Sequence, residues 1–137
     1  MADPSDIPSG FFISTDTNNR IAGATAIGFG PAAFGTVTQI TSKSTTVVVN
    51  AKAGVVTMHN AALADGTLVQ FTMTNSAISG TDVVVVNQGS GGTAGAYNCY
   101  CRSVGAGTAV FKVTNVSGGS LAEAVTINFA VFDTSAA

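Results

Sequence analysis

The sequence predicts an all-β fold, an antiparallel β-sandwich of about eight strands, jelly-roll or immunoglobulin-like, with an extended N-terminal arm. Three observations predict it. From Gly35 onward, short apolar runs rich in valine and threonine are cut by Asn, Gly, Ser and Asp. Apolar and polar residues alternate with a period of two in runs such as Val69–Thr74, which indicates half-buried strands. No proline follows Pro31, which suits uninterrupted strand ladders.

Residues 1–34 are predicted to form the arm, because their composition differs from that of the rest of the chain. They contain all three prolines and four of the eight phenylalanines, and they show no sustained helix or strand period. Only one short strand is expected here, around Phe11–Thr15. So many large apolar groups need a surface to lie on, either the chain's own body or a neighbouring chain. The expected anchors to a partner are Ile7, Phe11, Phe12, Ile13, Phe29 and Phe34.

Residues 35–137 are predicted to form the sandwich domain. The expected strands lie near Thr36–Ser42, Thr45–Asn50, Gly54–His59, Thr67–Asn75, Asp82–Asn87, Ala96–Ser103, Thr108–Asn115 and Ala124–Phe132. Asp65-Gly66 and Ser79-Gly80 are expected to form tight turns, in which the glycines supply a positive φ. The turn signals and strand lengths together indicate a two-sheet sandwich.

Periodicity within the strands predicts which faces are buried. On Thr108–Asn115 the alternation predicts a solvent-exposed face that carries Lys112. Val83–Val86 shows no alternation, which predicts a strand covered on both sides, by the other sheet and by a neighbouring subunit. A short echo relates Phe71–Asn75 to Phe111–Asn115, and it indicates either equivalent hairpins in two halves of the sandwich or chance similarity.

The composition favours association with other chains. Charged residues make up only 9% of the chain and hydrophobic residues 46%. Because a free monomer ordinarily carries more surface charge, we expect a homodimer, a homotrimer or a larger assembly. A net charge of −2 and scattered basic residues argue against nucleic-acid binding. No apolar run approaches the roughly 20 residues of a membrane span, and no signal peptide is evident, so we expect cytoplasmic synthesis and no membrane association.

No pattern of residues predicts catalysis. His59 is the only histidine, the seven acids are spread along the chain, and no glycine-rich segment ends like a phosphate-binding loop. Cys99 and Cys101 are expected to be buried free thiols on one face of a strand, with a strained disulfide or half of a metal site as alternatives. We therefore expect that the protein is not an enzyme, and we expect neither a cofactor nor a metal.

Two segments of the body resemble a known group of proteins. The segment from Gly35 to Asn87 contains TSKST, AALADGT and FTMTNS, and a later segment reads GSLAEAVTINFAVF. Together they resemble a small β-rich domain that recurs in tailed bacteriophages, both as short virion proteins and as modules at the ends of tail fibres. The resemblance covers about Gly35 to Phe132, implies no catalytic residue and does not extend to the arm.

The resemblance implies two alternative roles. The first is a capsid decoration or cement protein, made in the cytoplasm of a bacterial host, that sits on the virion surface and binds the major capsid protein. The aromatic side chains of the arm suit it, since such segments order on docking and wrap a large surface. The second is a tail-fibre or tail-tip module for host receptor recognition. With only Tyr97 and Tyr100 as tyrosines and no tryptophan, the first role is favoured; a β-protein without a virion role is the third possibility.

Overall fold

A computed structural model describes residues 28–134 of the chain. Its strands are β1 (Phe34–Thr38), β2 (Val47–Val48), β3 (Ala53–Thr57), β4 (Leu68–Thr74), β5 (Val83–Gln88), β6 (Tyr97–Gly105), β7 (Thr108–Asn115) and β8 (Thr126–Phe132). Each predicted strand of the body is present, although β2 has only two residues. A 3₁₀ helix at Pro31–Ala33 leads into β1. The strand expected around Phe11–Thr15 lies outside the described residues, as does most of the arm, so the domain boundary stays a prediction.

The strands form two sheets that enclose the core. Sheet A has the order β1-β3-β8-β5, and sheet B has the order β2-β4-β7-β6. Phe111 of sheet B and Phe129 of sheet A meet between the sheets, with their ring centroids 6.5 Å apart. The predicted all-β class and the two-sheet sandwich are therefore confirmed.

Strand direction corrects the prediction of antiparallel sheets. β1 pairs with β3 in parallel, and β2 pairs with β4 in parallel, while the other ladders are antiparallel. The chain passes from sheet A to sheet B and back before it forms β3, so it re-enters sheet A in the same direction. Such a crossover is what a parallel pair requires. The antiparallel part of the prediction therefore holds for four of the six ladders and not for the two that involve β1 and β2.

The buried faces follow the predicted alternation with one exception. On β7, Phe111 and Val113 are each only 1% exposed, and Lys112 lies on the opposite, wetter face as predicted. On β5, the core covers one face only: Val83 and Val85 are each 50% exposed. The second cover that the sequence predicts for this strand is therefore not supplied by the described part of the chain.

The sequence echo marks two neighbouring strands, which differs from the expected pair of separate hairpins. β4 and β7 pair antiparallel with Phe71 directly opposite Phe111, and the two rings pack edge to face at 5.4 Å. Asn75 and Asn115 then follow at opposite ends of this pair, and both are completely buried. The echo thus describes a local twofold relation at the centre of sheet B.

The two predicted glycine turns have different outcomes. Gly66 has a φ of 69°, as predicted. Gly80 does not adopt a positive φ. Its turn is closed instead by the carboxylate of Asp82, which accepts hydrogen bonds from the Ser79 backbone N–H at 2.9 Å and from the Ser79 hydroxyl at 2.7 Å. Hydrogen bonds to the Asp82 side chain therefore stabilise this turn without a residue of positive φ.

Candidate functional site

One end of the outer surface of sheet A carries a cluster of apolar side chains. The strand register places the first residues of β1 and β3 in one row with residues of β8 and β5, and it sets Val83 opposite Phe132 in the next row. We call this surface the apolar face and define it by Phe29, Phe34, Ala53, Val83, Val85, Ala130 and Phe132.

The strand period turns these side chains outward. On β8, Val131 points into the core and is 1% exposed, so its neighbour Phe132 must point away from it. On β1, Gly35 faces inward, because a Cβ atom there would lie 2.7 Å from the side chain of Val49. Phe34, one residue earlier, is therefore on the outer face. The same alternation that builds the core leaves large apolar groups outside it.

The apolar face is substantially exposed. Its phenylalanines are between 41% and 53% exposed, and its two valines are each 50% exposed. Phe29, which precedes the 3₁₀ helix, packs on Phe132 with the ring centroids 5.9 Å apart and the planes tilted by 56°. At these exposures the five side chains present roughly 400 Å² of apolar surface. Patches of this size are the largest found on typical monomers and are often functional.

Charged residues lie at the rim of the apolar face and not within it. Lys52, Asp82 and Asp133 each adjoin a residue of the face in the sequence. The Lys52 ammonium pairs with the carboxylate of Asp133, lies 3.7 Å from that of Asp82 and donates a hydrogen bond to the Ala77 carbonyl. Hydrogen bonds from Ser79, aided by Lys52, hold the pKa of Asp82 below its ordinary value. An apolar centre with a polar rim is the usual anatomy of a protein interface.

The outer face of sheet B is different. Gln70, Lys112 and Tyr100 form one row across β4, β7 and β6. Neighbouring rows on this face carry Thr72, Thr74, Asn98, Thr108 and Thr114. Tyr100, Val48 and Leu68 are exposed here, at 46%, 61% and 43%, but each lies opposite a polar residue, which is Lys112, Thr74 and Thr114 respectively. The two outer faces of the sandwich are therefore chemically distinct.

Of the six anchors predicted from the sequence, the structure describes two. Phe29 and Phe34 both lie on the apolar face. The other four, Ile7, Phe11, Phe12 and Ile13, lie outside the described residues. The sequence reading did not name Val83, Val85 or Phe132 as partner-binding residues. The signal for the two valines was the unbroken run on β5, which already indicated a covered outer face.

The two cysteines are free thiols on one face of β6, as predicted, although they are half-buried and not fully buried. Burial raises the pKa of Cys99 to about 11 and also raises the pKa of Cys101. Because the thiolate is the nucleophile and the metal ligand, raised pKa values indicate unreactive side chains. Within the described range, no group of three His, Cys, Asp or Glu side chains is placed to hold a metal ion.

A second cluster of titratable groups has a structural role. Lys43 is only 4% exposed, and its ammonium donates hydrogen bonds to the carbonyls of His59 at 2.5 Å and Glu123 at 2.7 Å. Burial lowers the pKa of Lys43, and the Glu123 carboxylate opposes this shift. Burial also raises the pKa of Tyr97, and Glu123 adds to that effect. Lys43 ties the loops at His59 and Glu123 together, and the Glu123 carboxylate accepts hydrogen bonds from the Thr93 backbone N–H and hydroxyl.

Comparison of the chain with protein-family models, with curated proteins and with solved structures gave no match. The one helix among residues 28–134 has three residues, far fewer than a membrane span needs. The apolar face is therefore the candidate functional site of the described residues.

Proposed function

We propose that this protein is a non-enzymatic bacteriophage virion protein that decorates the outside of the icosahedral shell, bridges neighbouring subunits of the major capsid protein and stabilises the capsid. The observation that carries the proposal is the apolar face, which has the area and the charged rim of a docking surface and no apolar cover within residues 28–134. The low charge of the chain and the resemblance of residues 35–132 to a phage domain support the same role.

The size of the apolar face sets the strength of the contact. Covering roughly 400 Å² of apolar surface contributes about 10 kcal/mol of hydrophobic free energy. Association costs about 4–15 kcal/mol in lost translational and rotational freedom. The face alone therefore gives weak binding, and durable attachment requires a second contact.

The arm is the proposed second contact. It enters the fold at the apolar face, since Phe29 packs on Phe132 and Phe34 begins β1. Ile7, Phe11, Phe12 and Ile13 precede that point in the chain and are proposed to bind the neighbouring capsid subunit. Two linked contacts on adjacent subunits bridge them, and the second contact raises the overall affinity by its high effective concentration.

Co-sedimentation with undecorated phage capsid shells tests the proposal. The wild-type chain is expected to saturate at hundreds of copies per shell, the scale set by the many equivalent subunits of an icosahedral lattice. The double variant Phe132→Thr, Val83→Thr should bind at least about tenfold more weakly, because it removes apolar contact area. The matched control Tyr100→Thr, Val48→Thr changes the outer face of sheet B and should bind like the wild type.

Removal of residues 1–27 tests the second contact. We expect a folded body by circular dichroism and at least about tenfold weaker shell binding, since one of two linked contacts is lost. Full-strength binding without these residues would reject the bridging role of the arm. No binding of the wild type to shells, together with a few copies at the tail of intact particles, would overturn the capsid proposal in favour of host recognition.

A further inference from the structure

The outer face of sheet B carries positive charge. Among the basic residues that the structure describes, Lys43 is buried and Lys52 is held in ion pairs beside the apolar face. The remaining basic residues are Arg102 of β6, which is exposed, and Lys112, on the outer face of β7. Because the whole chain has a net charge of −2, this is a local concentration of positive charge.

The carboxylates of the described residues all lie away from this face. Asp82 and Asp133 flank the apolar face of sheet A, where both lie close to the Lys52 ammonium. Asp65 and Glu123 lie in loops, and each accepts a hydrogen bond from a backbone N–H there. A ligand with negative charge therefore meets the attraction of two cations on sheet B and no opposing carboxylate from the described residues.

Tyr100 lies beside both cations. The register sets it directly opposite Lys112, and Arg102 follows two residues later on the same strand. The register shift between Cys101 and Ser103 makes Arg102 an additional residue in β6, and bulges of this kind redirect side chains. Opposite residues of a ladder have their Cβ atoms about 5 Å apart. Tyr100, Arg102 and Lys112 can therefore contact one small group of a ligand together.

Short polar side chains surround these three residues. Gln70 completes the row that contains Tyr100 and Lys112, and Asn98 lies opposite Thr114 in the adjoining row. Their amide and hydroxyl groups can both donate and accept hydrogen bonds. A flat surface with one aromatic ring and dispersed polar groups suits a ligand that has an apolar side and many hydroxyl groups.

We propose that the outer face of sheet B binds an acidic polysaccharide, that is, a glycan whose sugars carry carboxylate groups. The ring of Tyr100 packs on the apolar side of one sugar. Arg102 donates paired hydrogen bonds to a sugar carboxylate, and Lys112 adds a second positive charge. The amides of Gln70 and Asn98 bond to sugar hydroxyls. The inference stands independently of the capsid role, because the site lies on the opposite side of the sandwich from the apolar face.

The small number of cations distinguishes this ligand from other anions. Proteins that hold duplex DNA make about 6–10 phosphate contacts, and clusters that recognise anionic lipids contain about 4–8 Lys and Arg residues. Sheet B offers only Arg102 and Lys112. An extended acidic peptide binds by adding a strand at an open edge, but β5 packs beside β6 at this edge of sheet B. A glycan also uses stacking and hydrogen bonds, so it needs fewer cations.

An NMR titration of the isotope-labelled full chain with polygalacturonate oligosaccharides tests the site. The wild type should bind with a Kd of about 0.1–1 mM, with the largest amide shifts on β6 and β7. Tyr100→Ala, Arg102→Gln and Lys112→Gln should each weaken binding at least about fivefold. The matched control Lys52→Gln removes the same charge beside the apolar face and should bind within about twofold of the wild type. Carboxyl-reduced oligosaccharides should bind the wild type at least about fivefold more weakly.

Several outcomes would overturn the proposal. The first is the absence of saturable shifts in the wild type up to about 10 mM ligand. Equal weakening by Lys52→Gln and Lys112→Gln would indicate unspecific attraction by charge. Tighter binding to duplex DNA or to vesicles of anionic lipid would assign the face to another ligand. The amide spectrum shows whether each variant is folded, and a folded Arg102→Gln should bind capsid shells like the wild type, so the two proposals can fail separately.

Discussion

The two sheets of this sandwich depart from the usual distribution of polar and apolar residues in opposite ways. Sheet B ends its central strands with Asn75 and Asn115, both completely buried. Sheet A places Phe34, Phe132 and two valines on its outer surface at about half exposure. Each departure has a different physical meaning, since buried polar groups must be satisfied by the fold, whereas exposed apolar groups are satisfied only by a partner.

The buried amides of sheet B are hydrogen-bonded inside the molecule. The Asn75 side chain donates to the Ala51 carbonyl at 2.7 Å and accepts from the backbone N–H groups of Ala51 and Ala77 at 3.2 and 2.9 Å. With Ala51, the side-chain amide makes the same pair of bonds that a backbone peptide group of a neighbouring strand would make. Polar residues of this kind stabilise the fold and are not available for binding.

Loss of such an amide is expected to destabilise the fold strongly. Asn115 donates to the carbonyls of Leu63 and Gly119, both at 2.7 Å, and accepts from the Ser117 N–H at 2.9 Å. Asn115→Ala removes these three hydrogen bonds and leaves the Ser117 N–H without a partner, while the Leu63 and Gly119 carbonyls each keep one other donor. The free energy of unfolding should therefore fall by about 2–4 kcal/mol. Urea denaturation measures it. The exposed Asn98 on the same sheet is the control, and Asn98→Ala should change stability by no more than about 0.5 kcal/mol.

The next effect contrasts two phenylalanines of sheet A on opposite sides of one strand. Phe129→Ala empties part of the core and should cost about 3–5 kcal/mol, whereas Phe132→Thr on the apolar face should cost about 1 kcal/mol or less. Binding of a fluorescent hydrophobic dye should fall in Phe132→Thr and stay unchanged in Tyr100→Thr. A large loss of stability in Phe132→Thr would mean that this side chain stabilises the fold and is not reserved for a partner.

The smallest expected effect is a difference in pH dependence: a variant at Asp82, beside sheet A, should change how stability varies with pH, and a variant in sheet B should not. Hydrogen bonds from Ser79 hold the pKa of Asp82 below its ordinary 3.8. Because the unfolded chain takes up this proton first as the pH falls, the stabilisation is present above pH 3.8 and is lost as the pH drops through the folded-state pKa. Asp82→Asn should therefore give a flatter stability curve below about pH 4.

A control variant in sheet B completes the pH comparison. Asparagine does not titrate, so Asn115→Ala should lower stability by a similar amount at every pH, with the shape of the wild-type curve retained. Denaturation series at several pH values check both variants. If the stability of Asp82→Asn falls with decreasing pH as steeply as that of the wild type, other carboxylates cause the acid sensitivity. Glu123, whose pKa is also lowered, is the first of these to test.

Much of the candidate site followed from patterns in the sequence, but its assembly did not. The excess of apolar groups was evident from the composition, and the unbroken valine run indicated that the outside of β5 is covered. Phe29, Val83 and Phe132 are far apart in the sequence, however, and only the pairing of β5 with β8 brings the last two together. Alternation assigns a residue to a face of its strand and carries no information about the neighbouring strand.

The sequence by itself determined the all-β class, the eight strands of the body and the buried face of most of them, because the period of two and the turn residues act locally. Only the tertiary structure decided that β1 and β3, and β2 and β4, run parallel, since direction depends on which sheet the chain crosses to between strands. It also decided that the echo joins Phe71 to Phe111 as cross-strand partners. Long-range pairing is set by the packing of the whole core, to which each segment contributes only a part.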